Sequence, residues 1–353
     1  MATTLRILKT TRENWSENLA DETIDRHPIL KLLQSEGRIK YNCSGNGDFS
    51  WTAKNKRRQL TPYAEMDSLD FARNELYEKA TLPTRAYKMG EAISELEMLQ
   101  NKGKEAVIKI FGDIADEMKK EAGEGLCREF YIDGNATGNS KRFHGIESFM
   151  SWTTQTAGDA FQTTSNDSYA GLSTARGQNG TLAGTPEYDF WTPVIVNTNR
   201  TGYSWAANAD QLLRLAIIEM NRSNDKSERL NLVLLSRAGY RALADLLATT
   251  ERVVVDKGAV GIRKFGFEDT INIDGTDVTF DPDVPTTDVN NDNVYGYGFT
   301  TGKMMLKIVG PSLWHASGDD FDSTKMCFKW WVGLYGNLVF QSPKHFAKFA
   351  DIS

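Results

Sequence analysis

The strongest periodic pattern of apolar residues lies between residues 104 and 134. There, apolar side chains recur every three or four positions, while charged side chains such as Lys109 and Asp113 lie away from the apolar stripe. The pattern predicts an amphipathic helix of about 25 to 30 residues, about twice the usual length of a helix in globular proteins. We call it the spine helix. The predicted residues of its core face are Val107, Phe111, Ile114, Met118 and Phe130.

A long polar segment precedes the spine helix. Residues 48–53 and 69–77 have the pattern of two strands, and the stretch between them contains the basic run WTAKNKRRQL. The run YEKATLPTRAYKM then has the mixed pattern of a further strand. A two-stranded hairpin is marginal in water by itself, so we expect another surface to support it. We predict that this extended loop contacts a surface outside its local fold through Trp51, Lys54, Lys56, Arg57, Arg58 and Tyr63.

The second half of the chain alternates helical and strand patterns. Helices are predicted over AANADQLLRLAIIEMNRS and SRAGYRALADLLATT, the latter with Ser236 as its N-cap, and strands over LNLVLLS and RVVVD. The pair Asp274-Gly275 predicts the hairpin TINIDGTDVTF, and further strands follow to the end of the chain. This order predicts an α+β fold in which helices cover a sheet.

Two further segments are predicted from local signals. The run HPILKLLQSEG predicts a short helix that begins near Pro28 and ends near Gly37. Residues 133–190 are rich in Gly, Ser, Thr and Asn, which predicts a long irregular connection with one short helix at 169–175.

Composition limits the classes of partner. The chain has 353 residues, with 41 Lys and Arg against 47 Asp and Glu, which gives a net charge of -6. This negative net charge argues against binding to nucleic acid or to an anionic membrane through the overall charge of the protein. The three cysteines are odd in number and widely spaced, so neither a disulfide framework nor a zinc site is predicted. The chain has no apolar run of the roughly 18 to 20 residues that cross a bilayer.

The common catalytic and metal-binding motifs do not fit this sequence. None of the four histidines has a second His or Cys at metal-ligand spacing, and GYGFTTGKM lacks the first Gly and the final Ser or Thr of a phosphate-binding loop. The run DPDVPTTDVNND, residues 281–292, departs from a calcium loop at its sixth and twelfth positions, so we interpret it as a solvated acidic loop. The aromatic run KWWVGLYGNLVF is typical of a packed strand as much as of a base-stacking platform. We therefore predict no enzyme, no cofactor and no catalytic or metal residue.

The order of these elements resembles that of the major capsid proteins of tailed double-stranded-DNA phages. Three passages carry the resemblance: LPTRAYKMGEAISELEML with the helix that ends at FYIDGN, the turn KRFHGIESFM, and the ending WWVGLYGNLVFQSPKHFAKFADIS. The resemblance implies the HK97-like capsid fold. Its parts would be an N-terminal arm at 1–44, the extended loop at 45–77, a peripheral domain at 78–155 and 302–335, and an axial domain at 156–301 and 336–353.

The resemblance also implies function and partners. The chain would assemble in the host cytoplasm into hexamers and pentamers of an icosahedral virion head that encloses double-stranded DNA without specific contacts. No coiled-coil heptads precede the arm, so a separate scaffolding protein is expected beside a portal and decoration proteins. The extended loop would contact a neighbouring subunit through the six loop residues named above. Some members of the family join a loop Lys to an Asn of a neighbouring subunit. Lys54 and Lys56 lie in the corresponding loop, but no Asn matches, so non-covalent contacts are expected.

Two other functions fit the same sequence. One is an encapsulin-like compartment, which shares the fold and encloses cargo enzymes in place of DNA. The other is a cytosolic α+β enzyme whose anionic substrate would be held by Lys54, Arg57 and Arg58.

Overall fold

The structure is a computed structural model. It describes residues 28–43, 47–54, 62–67, 76–96, 117–118, 120–151, 167–174, 191–199, 203–220, 229–250, 270–288, 290–316 and 320–351. Three helices are bounded within these ranges: α1 Pro28–Ser35, α2 Trp205–Met220 and α3 Arg237–Thr250. Residues 117–118 and 120–129 are also helical and form the described part of the spine helix.

Sixteen strands and three short 3-10 turns complete the described elements. The strands are β1 Ile39–Lys40, β2 Asp48–Lys54, β3 Tyr77–Pro83, β4 Arg85–Ser94, β5 Ser168–Tyr169, β6 Leu172–Ser173, β7 Val194–Asn197, β8 Leu232–Leu235, β9 Thr270–Ile273, β10 Thr276–Phe280, β11 Asn293–Phe299, β12 Met304–Ile308, β13 His315–Ala316, β14 Asp320–Asp322, β15 Cys327–Phe340 and β16 Phe346–Asp351. The turns are Ile146–Phe149, Thr301–Lys303 and Pro343–His345.

The first sheet is organised around the long strand β15. β4 pairs antiparallel with it from Arg85 to Ser94. Along its other side, β14, β13 and β12 follow one another, and β1 adds in parallel to β12. β15 runs without interruption through the predicted domain boundary at 335–336, and residues 336–340 pair with β12 in this first sheet. The domain boundaries themselves stay a prediction.

The second sheet separates two hydrophobic cores. Its strand order is β7-β16-β11-β8-β10-β9. In β8, Val233 and Leu235 pack in one core with α2 and α3, whereas Leu232 and Leu234 pack in the other core with the spine helix and the first sheet. Both faces of β8 are therefore buried, which explains why its sequence is a continuous apolar run.

Predictions that rest on short-range signals are confirmed. The hairpin β9–β10 turns at Asp274 and Gly275, which have φ angles of 50° and 83°. Ser236 caps α3, because its Oγ accepts a hydrogen bond of 3.2 Å from the backbone N–H of Gly239. α1 is followed by Gly37, whose φ is 63°. The predicted strand RVVVD lies outside the described residues.

The short helix predicted at 169–175 is wrong. That segment forms the small hairpin β5–β6. Ala170 and Gly171 at its tip have φ angles of 54° and 83°, which belong to a tight turn and cannot continue a right-handed helix. The segment is too short for apolar periodicity to separate the two structures.

Candidate functional site

The extended loop is rooted in a two-stranded arm, β2 paired with β3. The predicted return strand at 69–77 lies mostly outside the described residues, and within them the strand that pairs with β2 is Tyr77–Pro83. Phe49, Ala53, Ala80 and Leu82 are buried against the larger core of the same chain. The chain's own core therefore supports the base of the arm.

Trp51 fixes the arm to its own subunit. The indole Nε1 donates a hydrogen bond of 3.0 Å to the backbone carbonyl of Gln341. The ring lies 6.3 Å from the ring of Tyr169, and the ammonium of Lys307 lies 5.9 Å from the indole centroid. These contacts lie within one chain, and the role of Trp51 between subunits stays a prediction.

Beyond the base, the arm presents exposed side chains. Lys54 is exposed at the end of β2, whereas Lys56, Arg57 and Arg58 lie outside the described residues. Tyr63 is 70% exposed and Met66 is 99% exposed. Their turn is ordered, because the backbone N–H of Ala64 donates to Asp67 Oδ2 at 2.7 Å. The exposed Met66 escaped the sequence analysis, since no periodic pattern covers this turn.

The described end of the spine helix is buried and joined to β4. Met118 and Phe130 pack in the larger core, and Val107, Phe111 and Ile114 lie outside the described residues. Glu129 accepts hydrogen bonds from the guanidinium of Arg142 and, at 2.5 Å, from the hydroxyl of Tyr87. Burial raises the pKa of Tyr87, and the neighbouring Glu129 carboxylate adds to that shift. These contacts hold the edge strand β4 against the helix.

Asn337 of β15 clamps the turn that follows the spine helix. Its Oδ1 accepts from the backbone N–H groups of His144 and Leu338, and its Nδ2 donates to the carbonyl of Pro83 at 2.8 Å. The same Nδ2 lies 3.0 Å from His144 Nδ1, so this ring nitrogen must accept and the imidazole must be neutral. Burial, and after it the charge of Arg85, lowers the pKa of His144 to about 4.

This turn also passes close to the helix backbone. A Cβ atom on Gly145 would lie 2.6 to 2.7 Å from three backbone oxygens, those of Ile132, Phe130 and Glu129. The next residue, Ile146, donates its N–H to the carbonyl of Phe130 at 2.8 Å. Glycine at 145 is therefore required by the space available.

A fully buried ion cluster joins the turn to the second sheet. Lys348 of β16 lies 2.8 Å from Glu147 and 2.9 Å from Asp288, and the exposed fractions of the three side chains are 0%, 4% and 0%. The hydroxyl of Tyr297 donates to Glu147. Burial raises the pKa of Glu147, against the opposing effect of Lys348. Two carboxylates and one ammonium thus hold three distant segments together.

The same cluster corrects one sequence interpretation. Residues 281–292 are not a solvated acidic loop, because Asp281 and Asp292 are 8% and 7% exposed. Asp281 accepts a hydrogen bond of 2.8 Å from the hydroxyl of Tyr131. Burying the Asp281 carboxylate is possible because the Tyr131 hydroxyl and the backbone N–H of Asp283 donate to it, and Asp288 of the same run is paired with Lys348.

These polar groups connect structural elements. Among the described residues, no group of three or more His, Cys, Asp and Glu side chains is placed to hold a metal ion. None of the described helices is long and apolar enough to cross a membrane. Cys43, Cys127 and Cys327 are free thiols. The candidate functional surface is the arm with its exposed turn, and the base of the arm packs against the larger core of the same chain.

Comparison with known proteins identifies the fold. No family model matches the sequence, and no curated protein matches it. Solved structures do match. The capsid of cyanophage A-1(L) is 15% identical, with a TM-score of 0.57 over 90% of this chain and 90% of that chain. The capsid of a native GTA particle, computed with C5 symmetry, is 11% identical, with a TM-score of 0.53 over 90% and 89%. The mature capsid of bacteriophage PhiM1 is 11% identical, with a TM-score of 0.50 over 90% and 87%.

The matches extend over about nine-tenths of each chain. They confirm the predicted α+β class and the fold that the resemblance implied. The chain has the HK97-like capsid fold of tailed-phage major capsid proteins.

Proposed function

We propose that this chain is a phage major capsid protein, which assembles into the hexameric and pentameric capsomers of an icosahedral head around double-stranded DNA. The observation that carries this proposal is the fold shared with capsid subunits over about nine-tenths of the chain. The function is structural and requires no cofactor. Its place is the virion, after assembly in the host cytoplasm.

The arm gives this proposal a physical basis. Phe49, Leu82 and the Trp51 hydrogen bond anchor its base in the subunit's own core. The position of the arm is therefore fixed relative to its own subunit. Its exposed turn carries Tyr63 and Met66, large side chains that a neighbouring copy would cover. Head-to-tail contacts of this kind close into rings when the rotation between copies is right.

The basic run gives the contact its charge. The chain carries a net charge of -6, so the surface of an adjacent copy offers many carboxylates to Lys54, Lys56, Arg57 and Arg58. Packaged DNA meets the shell through non-specific contacts, in keeping with this acidic balance. A separate scaffolding protein, a portal and decoration proteins belong to the same proposal.

Charge reversal in the loop tests the contact. We expect Arg57→Glu/Arg58→Glu to raise the protein concentration needed for shell formation by roughly tenfold, because two attractive pairs become repulsive. The effect should be larger at low salt, where exposed charges are least screened. Light scattering and negative-stain electron microscopy across a concentration series give the measurement.

The matched control places the same change of charge elsewhere. Arg237→Glu/Arg241→Glu alters two exposed arginines of α3 and should leave the assembly concentration close to that of the wild type. If both double variants weaken assembly equally, net charge is responsible and the loop contact is refuted. Unchanged particle yield in the loop variant would refute it as well.

A further inference from the structure

A cationic cleft lies where the segment after α1 meets both sheets. Its volume is about 450 Å³. Three chain segments form it: the residues after α1, the approach to β8, and the turn Thr301–Lys303. The lining residues are Glu36, Arg38, Arg229, Asn231, Thr301, Gly302 and Lys303.

Hydrogen bonds hold the walls of the cleft in place. The hydroxyl of Thr301 donates to Glu36 Oε1 at 2.8 Å, and it accepts from Asn231 Nδ2 at 2.8 Å. Asn231 Oδ1 in turn accepts from the backbone N–H of Thr301 at 3.0 Å. Glu36 is therefore engaged with the wall. The backbone of Arg38 is fixed as well, because its N–H donates to Leu33 and its carbonyl accepts from Leu306.

Arg38 has an unused donor in this cleft. Its Nε is buried and has no hydrogen-bond partner within the described part of the chain. Its Nη2 lies 3.3 Å from the position that a Cβ atom on Gly302 would occupy, so the guanidinium rests against a residue without a side chain. A buried donor without an acceptor is unfavourable, and an incoming oxyanion would supply the acceptor. The planar guanidinium suits the two oxygens of a carboxylate.

The charge around the cleft favours one kind of occupant. Three cations and one carboxylate line it, so its sign is opposite to that of the whole chain, which carries a net charge of -6. Nucleic acid brings a row of phosphates and is bound by tracks of cations. The cations here line a single cleft of about 450 Å³, and Glu36 is one of its lining residues. A single carboxylate fits this arrangement better than a row of phosphates.

We propose that this cleft receives an Asp or Glu side chain from a second copy of the chain, with Arg38 as its principal partner. The inference rests on the proposed function, because shell assembly is what brings copies into contact. It places an attachment point at the junction of the two sheets, separate from the exposed turn of the arm.

The test compares Arg38→Gln/Arg229→Gln with Arg128→Gln/Arg214→Gln. The control removes the same charge from two arginines outside the cleft, whose side chains are 69% and 55% exposed. We expect the cleft variant to need roughly tenfold more protein for shell formation, and the control to assemble like the wild type. Denaturant unfolding of the unassembled subunit shows whether each variant still folds. Arg38→Lys keeps the charge, loses the planar fork, and should give an intermediate effect.

Each outcome of this experiment either supports or overturns the inference about the cleft. Cleft variants that assemble like the control would overturn the inference and leave the proposed function standing. A wild-type chain that forms no shells even with its scaffolding protein would overturn both. If the cleft variant forms shells in normal yield but these shells retain less DNA than wild-type shells, the carboxylate is excluded and a phosphate group is the occupant of the cleft. A reconstruction of the wild-type shell gives a reading that needs no variant: we expect a neighbouring carboxylate within hydrogen-bond distance of Arg38, and solvent alone there would contradict the inference.

Discussion

Replacing Lys348 with Met should destabilise the unassembled subunit by about 3–5 kcal/mol. The substitution keeps the length and apolar stem of the side chain but removes the ammonium between Glu147 and Asp288. Both carboxylates are buried, at 2.8 and 2.9 Å from the lysine nitrogen. Without a cation, each must either take up a proton or remain as an uncompensated charge in the core. Denaturant unfolding followed by circular dichroism measures the loss.

Two further variants separate burial from the loss of a cation. Arg214→Met removes the cation of an exposed pair with Asp274, at 3.3 Å, and should cost about 1 kcal/mol or less. Adding Glu147→Gln to Lys348→Met should recover part of the lost stability, because it removes one buried charge and keeps an acceptor for Tyr297. A Lys348→Met variant as stable as Arg214→Met would show that the cluster is solvated in the folded protein.

Acidification should destabilise the subunit through His144. The folded-state pKa of His144 is about 4, below its ordinary value of 6.5. Above pH 6.5 the imidazole is neutral in both states, so its contribution to stability is fully present. As the pH falls toward 4, the unfolded chain gains a proton that the folded chain does not, and stability is lost. The expected loss between pH 7 and pH 4 is about 3 kcal/mol.

His144→Asn isolates this contribution, because the Asn side chain offers an acceptor close to the position of Nδ1. We expect the variant to lack most of the acid-induced loss seen in the wild type. The difference between the two profiles is the quantity to measure, since other groups titrate too. Burial raises the pKa of Asp167 to about 6, which acts in the opposite direction, favouring the folded state at low pH. Parallel profiles for wild type and variant would show that His144 titrates normally and that the Asn337 clamp does not hold it neutral.

The predictable parts of the fold were those with local signals. Ser236 at a helix start and Asp274-Gly275 between alternating runs each act over a few residues, so the sequence alone locates the capped helix and the hairpin. The partner of β2 is harder to predict, because the run YEKATLPTRAYKM has the pattern of a strand but does not show which strand it pairs with. The β5–β6 hairpin was read as a helix because its strands have two residues each.

The buried polar contacts between distant segments could not be predicted from local sequence signals. Lys348 and Glu147 are 201 positions apart, and Lys348 and Asp288 are 60 apart, so no short-range pattern links them. One signal was present: Lys348 is flanked on both sides by apolar residues in the strand FAKFAD, which argues for a buried partner. The acidic run at 281–292 appeared solvated because its partners Tyr131 and Lys348 come from distant segments. The basic residues Lys56, Arg57 and Arg58 lie outside the described residues, and their role stays a prediction.

Cryo-electron microscopy of particles formed by the wild-type chain together with its scaffolding protein, over a range of protein concentrations, tests shell assembly most directly. We expect closed shells, or at least hexameric and pentameric capsomers, with the arm of each copy lying on its neighbour. A compact monomer that stays stable at every concentration would contradict the proposed function.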